Sequence, residues 1–133
     1  MKNKKNLIFL SALIPFAFLM ATSFGGNRGS NYDKPTGMDL TGLTVADGVY
    51  TGEATGFREG LVVEVTVTGG TVSEVEVVDH NEVGAQYYTR PVKLIPKLIV
   101  DEQKTNVDGV TGASATSYAI MSAVENALSG AAQ

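Results

Sequence analysis

From Leu61 to Thr68 apolar and polar side chains alternate, with Val63, Val65 and Val67 on one side and Glu64, Thr66 and Thr68 on the other. Period-two alternation is the signature of a half-buried strand. Gly69-Gly70 interrupts it, and the alternation resumes over Thr71–Asp79 with Val75 and Val77 inward and Glu74 and Glu76 outward. Two strands around a two-residue glycine turn predict a β-hairpin. Val72 falls out of parity, which predicts a bulge or a strand start there. Upstream, Asp47-Gly48 is a turn signal, Val49–Ala54 reads as a strand weakened by Gly52, and Gly56–Gly60 reads as the turn that follows. The result is a small antiparallel sheet with one apolar face that needs a cover.

Downstream the spacing changes from two to about 3.6. Thr89-Arg90-Pro91 predicts a helix start with Pro91 in the first turn. Pro96 breaks the pattern, so two short pieces are expected, about Pro91–Leu94 and Pro96–Gln103. A clearer helix carries Ala113, Ser117, Ile120, Met121, Val124 and Leu128 on one face and stops near Ser129-Gly130. The expected fold class is α+β, a small antiparallel sheet covered by helices.

The first part of the chain follows neither spacing. Lys2, Lys4 and Lys5 precede an apolar run from Leu7 to Ala21, with small residues at Ala21-Thr22-Ser23. That layout predicts a signal peptide or membrane anchor over residues 1–24, with the body outside the cytoplasm: secreted, periplasmic or anchored at the cell surface. Residues 25–42 are rich in Gly, Asn, Ser, Asp and Thr and read as a flexible linker. The folded domain is expected over residues 43–130, with order starting near Leu43.

Composition narrows the chemistry. The 133-residue chain has no cysteine and one histidine, His80. Disulfides, thiolate metal sites, iron–sulfur ligation and thioether haem attachment are excluded, as is a histidine-rich metal site. A redox centre in this chain has to be a cofactor held in another way. The formal net charge is −4, and removing the three N-terminal lysines from the ten basic residues leaves seven against 14 acidic. An acidic body argues against a nucleic-acid partner, which requires a basic footprint.

The chemically informative stretch is Asp108-Gly109-Val110-Thr111-Gly112-Ala113-Ser114-Ala115-Thr116-Ser117, leading into the last helix. Gly109 and Gly112 permit a tight turn and a close approach. Thr111, Ser114, Thr116 and Ser117 crowd four hydroxyls at a helix start, where unpaired N–H groups and the positive end of the helix dipole lie. Two uses are open on this basis. One is ordinary capping, the commoner role of Ser and Thr at such places; the other is binding of an anion such as phosphate.

The stretch also resembles the flavinylation motif of the FMN-binding domain family, found in flavin subunits of sodium-pumping quinone reductases, in related ferredoxin-linked complexes, and in secreted or tethered flavoproteins of extracellular electron transfer. Asp108-Gly109-Val110-Thr111-Gly112-Ala113-Ser114 fits the motif position by position, and Asp47–Gly52, the valine hairpin and His80-Asn81-Glu82 look like the family's pattern upstream. The resemblance covers roughly Val45–Leu128. It implies FMN joined covalently through its phosphate to Ser114, donated from FAD by a separate flavin transferase with release of AMP. It further implies a cofactor site made by Thr111, Gly112, Ala113, Ser114, Thr116 and Ser117, with Asp108 and Gly109 serving transferase recognition or the turn. The family's usual residue at the attachment position is threonine; serine offers the same hydroxyl without the methyl. His80, Tyr87 and Tyr88 are candidates to flank the flavin ring, or else a strand-end histidine and tyrosines that pack a helix, and Glu82 is a candidate loop cap.

The expected function is therefore an electron carrier rather than a complete enzyme. Its partners would be the transferase, redox partner proteins or a quinol oxidoreductase, and the membrane if the N-terminal segment is retained. The alternatives are an FMN-carrying subunit of a membrane or surface reductase complex, and a surface binding domain without flavin.

Overall fold

The computed structural model describes residues 33–131. The segment expected to be a signal or anchor, residues 1–24, lies outside them, as does the first part of the linker. Three strands, β1 (Gly48–Ala54), β2 (Leu61–Thr68) and β3 (Thr71–Asp79), are followed by two helices, α1 (Ala85–Glu102) and α2 (Ser114–Ala131). The strands form an antiparallel sheet in the order β1-β2-β3. Helix α2 packs on β1 and β2, and α1 packs on β3 and α2. The fold class is α+β, as the spacing predicts. No helix among the described residues is long and apolar enough to cross a membrane.

The hairpin follows the alternation closely. Leu61, Val63, Val65 and Val67 of β2 are all buried beneath the helices. Gly69 and Gly70 have φ of 62° and 81°, the left-handed pair that a two-residue turn between twisted strands requires. The irregularity expected at Val72 is a shift of register. Val67 pairs with Val72 whereas Thr66 pairs with Glu74, so Ser73 is the extra residue and both Val72 and Val75 point into the core.

Gly52 acquires a reason. A Cβ there would sit 2.0 Å from the carbonyl oxygen of Ala123 and 2.5 Å from the amide nitrogen of Ala127. Helix α2 rests its alanine stripe, Ala119, Ala123 and Ala127, where the strand has no side chain. What reads in sequence as a weak point in β1 is the place where backbone meets backbone.

Two expectations are corrected. The pieces Pro91–Leu94 and Pro96–Gln103 are one continuous helix that begins six residues earlier, at Ala85, with both prolines inside it. An interior proline costs about 3 kcal/mol, while burying an isoleucine side chain contributes about 1.5–3 kcal/mol. Pro91, Ile95, Pro96 and Ile99 are all buried on one face of α1, so the prolines add to the packing that offsets their backbone cost. The helix ends at Gln103, in left-handed conformation at φ 54°, whose N–H donates to the Ile99 carbonyl at 2.8 Å. Its side-chain amide accepts from Val72 N at 3.1 Å and donates to Val72 O at 2.7 Å, tying the helix end to the bulge in β3.

Order also starts upstream of Leu43. Leu40 N donates to Gln103 O at 2.9 Å, Thr105 N to Met38 O at 3.1 Å, and Met38 N to Thr105 Oγ1 at 2.7 Å. Leu40 is fully buried. Met38, Leu40 and Leu43 are isolated apolar positions in a polar stretch, too few to show a period, yet they suffice once a neighbouring strand-like segment supplies backbone partners. The end of α2 lies at Ala131, with Gly130 in its last turn.

Candidate functional site at the start of α2

The turn before α2 is built from its anchors outward. Val107 and Val110 are buried. Ala113 N donates to Val110 O at 2.9 Å, closing a turn that places Gly112 at φ 83°. Ser117, fully buried, turns its Oγ back to accept from Val110 N at 3.0 Å, while its own N–H donates to Ala113 O at 3.1 Å. Thr116, also buried, donates its hydroxyl to Glu82 Oε1. A Cβ on Gly109 would lie 3.1 Å from the Tyr118 ring, so the loop runs close against the helix there.

The four hydroxyls therefore separate into two pairs. Thr116 and Ser117 are inside and committed to the protein. Thr111 and Ser114 are exposed. Neither of their hydroxyls bonds another described residue. Capping is not what Ser114 does, because it is the first helical residue and the position before it is Ala113, which has no side-chain acceptor. The N–H groups of Ser114, Ala115 and Thr116 open the helix and have no intrahelical partner. The amides of Ala113 and Ser117, by contrast, already donate to carbonyls. The space beside Gly112 is open: a Cβ there would meet nothing within 4 Å. Asp108 and Gly109 are exposed at the entry to the turn.

Glu82 organises the other side of the same helix end. It is 6% exposed. Its Oε1 accepts from Phe57 N at 3.1 Å as well as from Thr116, and its Oε2 accepts from Arg58 N at 3.0 Å. A buried carboxylate without hydrogen-bond donors is costly; here three donors and the positive end of α2 surround it. Gly56 lies close beside it: a Cβ there would fall 2.8 Å from Oε1 and displace the carboxylate. Glu82 thus caps a loop, as expected, and the loop it caps is Gly56–Gly60. It also joins that loop to the first turn of α2, which no sequence signal indicates. Asn81 Nδ2 adds a bond to Glu59 O at 2.9 Å. His80 accepts from Glu82 N through Nδ1 at 3.1 Å and meets Tyr88 with ring centroids 4.7 Å apart, while Tyr87 stays 53% exposed.

A hydroxyl that bonds no other described residue, beside open helix amides and a left-handed glycine, defines an anion-receptive helix terminus on a small α+β domain. The FMN-binding domain family matches residues 56–129, from the glycine under Glu82 to the last turns of α2. The chain belongs to the FMN-binding domain family, and FMN is its cofactor. A surface domain without flavin is thereby set aside. Over 82 residues the chain is also 39% identical to an uncharacterized protein of Treponema pallidum (strain Nichols), covering 62% of this chain and 22% of that protein. The chain thus spans about a fifth of that relative's length. The residues at the start of α2 fit a phosphate-bearing group, because an exposed pair of hydroxyls lies beside amides that have no intrahelical partner, with room next to Gly112.

Proposed function

We propose that this protein is an exported or membrane-tethered electron carrier whose FMN is attached through its phosphate to the Ser114 hydroxyl. The observation that supports it is the split just described: within one short motif Thr116 and Ser117 are consumed by the fold, whereas Ser114, at the first position of α2, is exposed and bonds no other described residue through its hydroxyl. Ser114 Oγ would form a bond to the FMN-side phosphorus of FAD as the phosphoanhydride breaks. AMP leaves with the bridging oxygen, and the hydroxyl proton passes to a base of the flavin transferase. A serine hydroxyl is a weak nucleophile without such a base. Thr111, Gly112 and Ala113 shape the outward side of the turn, and the amides of Ser114, Ala115 and Thr116 stabilise the phosphate charge together with the helix dipole. Thr116 and Ser117 contribute through the backbone and by fixing the turn, not through their hydroxyls. Asp108 and Gly109, at the exposed entry, suit recognition by the transferase. FMN supplies the electron chemistry when bound; the protein positions it.

Electrons would arrive from a quinol oxidoreductase or a partner flavoprotein and leave to another carrier. The basic and apolar start, Met1 to Ala21, supports export. The match to a small part of a longer relative supports a second reading, in which such a domain serves as the FMN-carrying part of a larger reductase.

The test is the intact mass of protein from cells that also make a flavin transferase, beside Ser114→Ala. A gain of FMN less one water, absent in the variant, is expected. No gain, with the transferase active on a threonine-motif control, would overturn covalent attachment. A reporter enzyme fused after Gln133 that works only in the cytoplasm would overturn export.

A further inference from the structure

Beyond the attachment point, the loop held by Glu82 carries an exposed aromatic residue at the same helix end. Phe57 is 58% exposed, although its backbone N–H is fixed to the buried Glu82 carboxylate. The oxygen that receives it, Oε1, also receives the Thr116 hydroxyl, two residues from Ser114. The next segment adds Val83 and Tyr87, also exposed, the tyrosine ring lying against Gly84. Of these, Phe57 is the exposed ring whose backbone is fastened to the carboxylate that also holds the first turn of α2.

We infer that, with FMN on Ser114 as proposed above, Phe57 is the aromatic wall against which the flavin ring rests, and Glu82 is the positioning residue that holds it there. The five-carbon ribityl chain between phosphate and ring is long enough to span one helical turn, about 5.4 Å, which carries the ring from Ser114 around the helix end toward the Gly56–Gly60 loop. A flat conjugated ring and a phenyl group gain from stacked or edge-to-face contact beyond the area they bury. Glu82 does not touch the flavin. It keeps the backbone of Phe57 and Arg58 fastened to α2, so the wall stands at a fixed distance from the attachment hydroxyl.

The experiment reads contact directly. An indole in contact with a flavin quenches its emission, so Phe57→Trp is made in the full chain, loaded by the transferase, and its attached FMN verified by mass. The flavin emission lifetime should shorten about fivefold relative to the unmutated loaded protein, because contacting aromatic rings lie with centroids within about 4.5–7 Å. A lifetime equal to that of the unmutated protein, with FMN attached, would overturn the contact while leaving Ser114 attachment intact. Absence of the mass gain in the unmutated protein would instead overturn the attachment and the wall with it. Adding Glu82→Gln to Phe57→Trp keeps the size of the side chain but removes the carboxylate that accepts both loop amides. The lifetime should then lengthen about twofold as the loop loosens, since one amide oxygen cannot replace two carboxylate oxygens as acceptors. No lengthening, in a double variant that still melts cooperatively, would overturn the role given to Glu82.

Discussion

The opening turn of α2 has two sides made from the same residue types. On the inner side Thr116 and Ser117 are buried, and each hydroxyl completes a hydrogen bond to another segment: the distant exit of β3 for Thr116, the adjoining loop for Ser117. On the outer side Thr111 and Ser114 are exposed, and their hydroxyls bond no other described residue. Residue type alone does not separate structural from functional hydroxyls. Helical phase and the neighbour that reaches in from another segment do. Mutations on the inner side should therefore register as stability, and those on the outer side as chemistry.

The largest stability effect belongs to the acceptor that the inner side serves. Glu82→Ala removes the partner of the Thr116 hydroxyl and of the Phe57 and Arg58 amides. Leaving buried groups unpaired costs about 1–3 kcal/mol, and more where a charged acceptor is lost, so a loss of about 3 kcal/mol is expected in denaturant unfolding. For a domain of this size that corresponds to a melting point lower by more than about 10 °C. A loss below about 1 kcal/mol would mean that water replaces the carboxylate and that the inner side is not a structural unit.

Next comes Ser117→Ala, which leaves the Val110 N–H without its acceptor in a buried setting. The expected loss is about 2 kcal/mol. Thr116→Val preserves shape but deletes a bond to a carboxylate, with an expected loss of about 1.5 kcal/mol. Both are measured by urea unfolding of the protein without flavin, so that cofactor binding does not enter. If either variant unfolded like the unmutated chain, the division between the two sides would fail at that residue.

Much of this architecture is visible before any coordinates. The valine alternation places β2 and β3, and the bulge at Ser73 is announced by Val72 falling out of parity. The buried face of α2 is the face its spacing predicts. What could not be read depends on contacts between distant segments. Helix α1 runs through Pro91 and Pro96 because both rings are buried, and local propensity knows nothing of that burial. Leu40 joins the core because Gln103 offers its amide a backbone partner while Thr105 pairs with neighbouring Met38. At the site, the motif names the hydroxyls, but Glu82 decides which of them is used up. A carboxylate after a strand, one glycine-rich loop away, gives no hint in sequence that it will be buried under a helix.

The smallest effect sharpens the outer side. Ser114→Ala removes an exposed hydroxyl that bonds no described residue, at the first position of a helix. Surface changes of this kind fall within about 0.5 kcal/mol, and alanine has the higher helix propensity. The flavin-free variant should therefore unfold at the same urea concentration as the unmutated chain, or slightly above it. Thr111→Ala should behave alike, because its side chain stands at the exposed tip of the turn. If Ser114→Ala instead cost more than about 1 kcal/mol, the hydroxyl would be acting as a cap in solution. The physical reason for assigning it to chemistry would then disappear, whatever the mass measurement showed. Near-zero change, together with losses at Ser117 and Thr116, would show that one short motif has kept its stabilising hydroxyls apart from the one available for reaction.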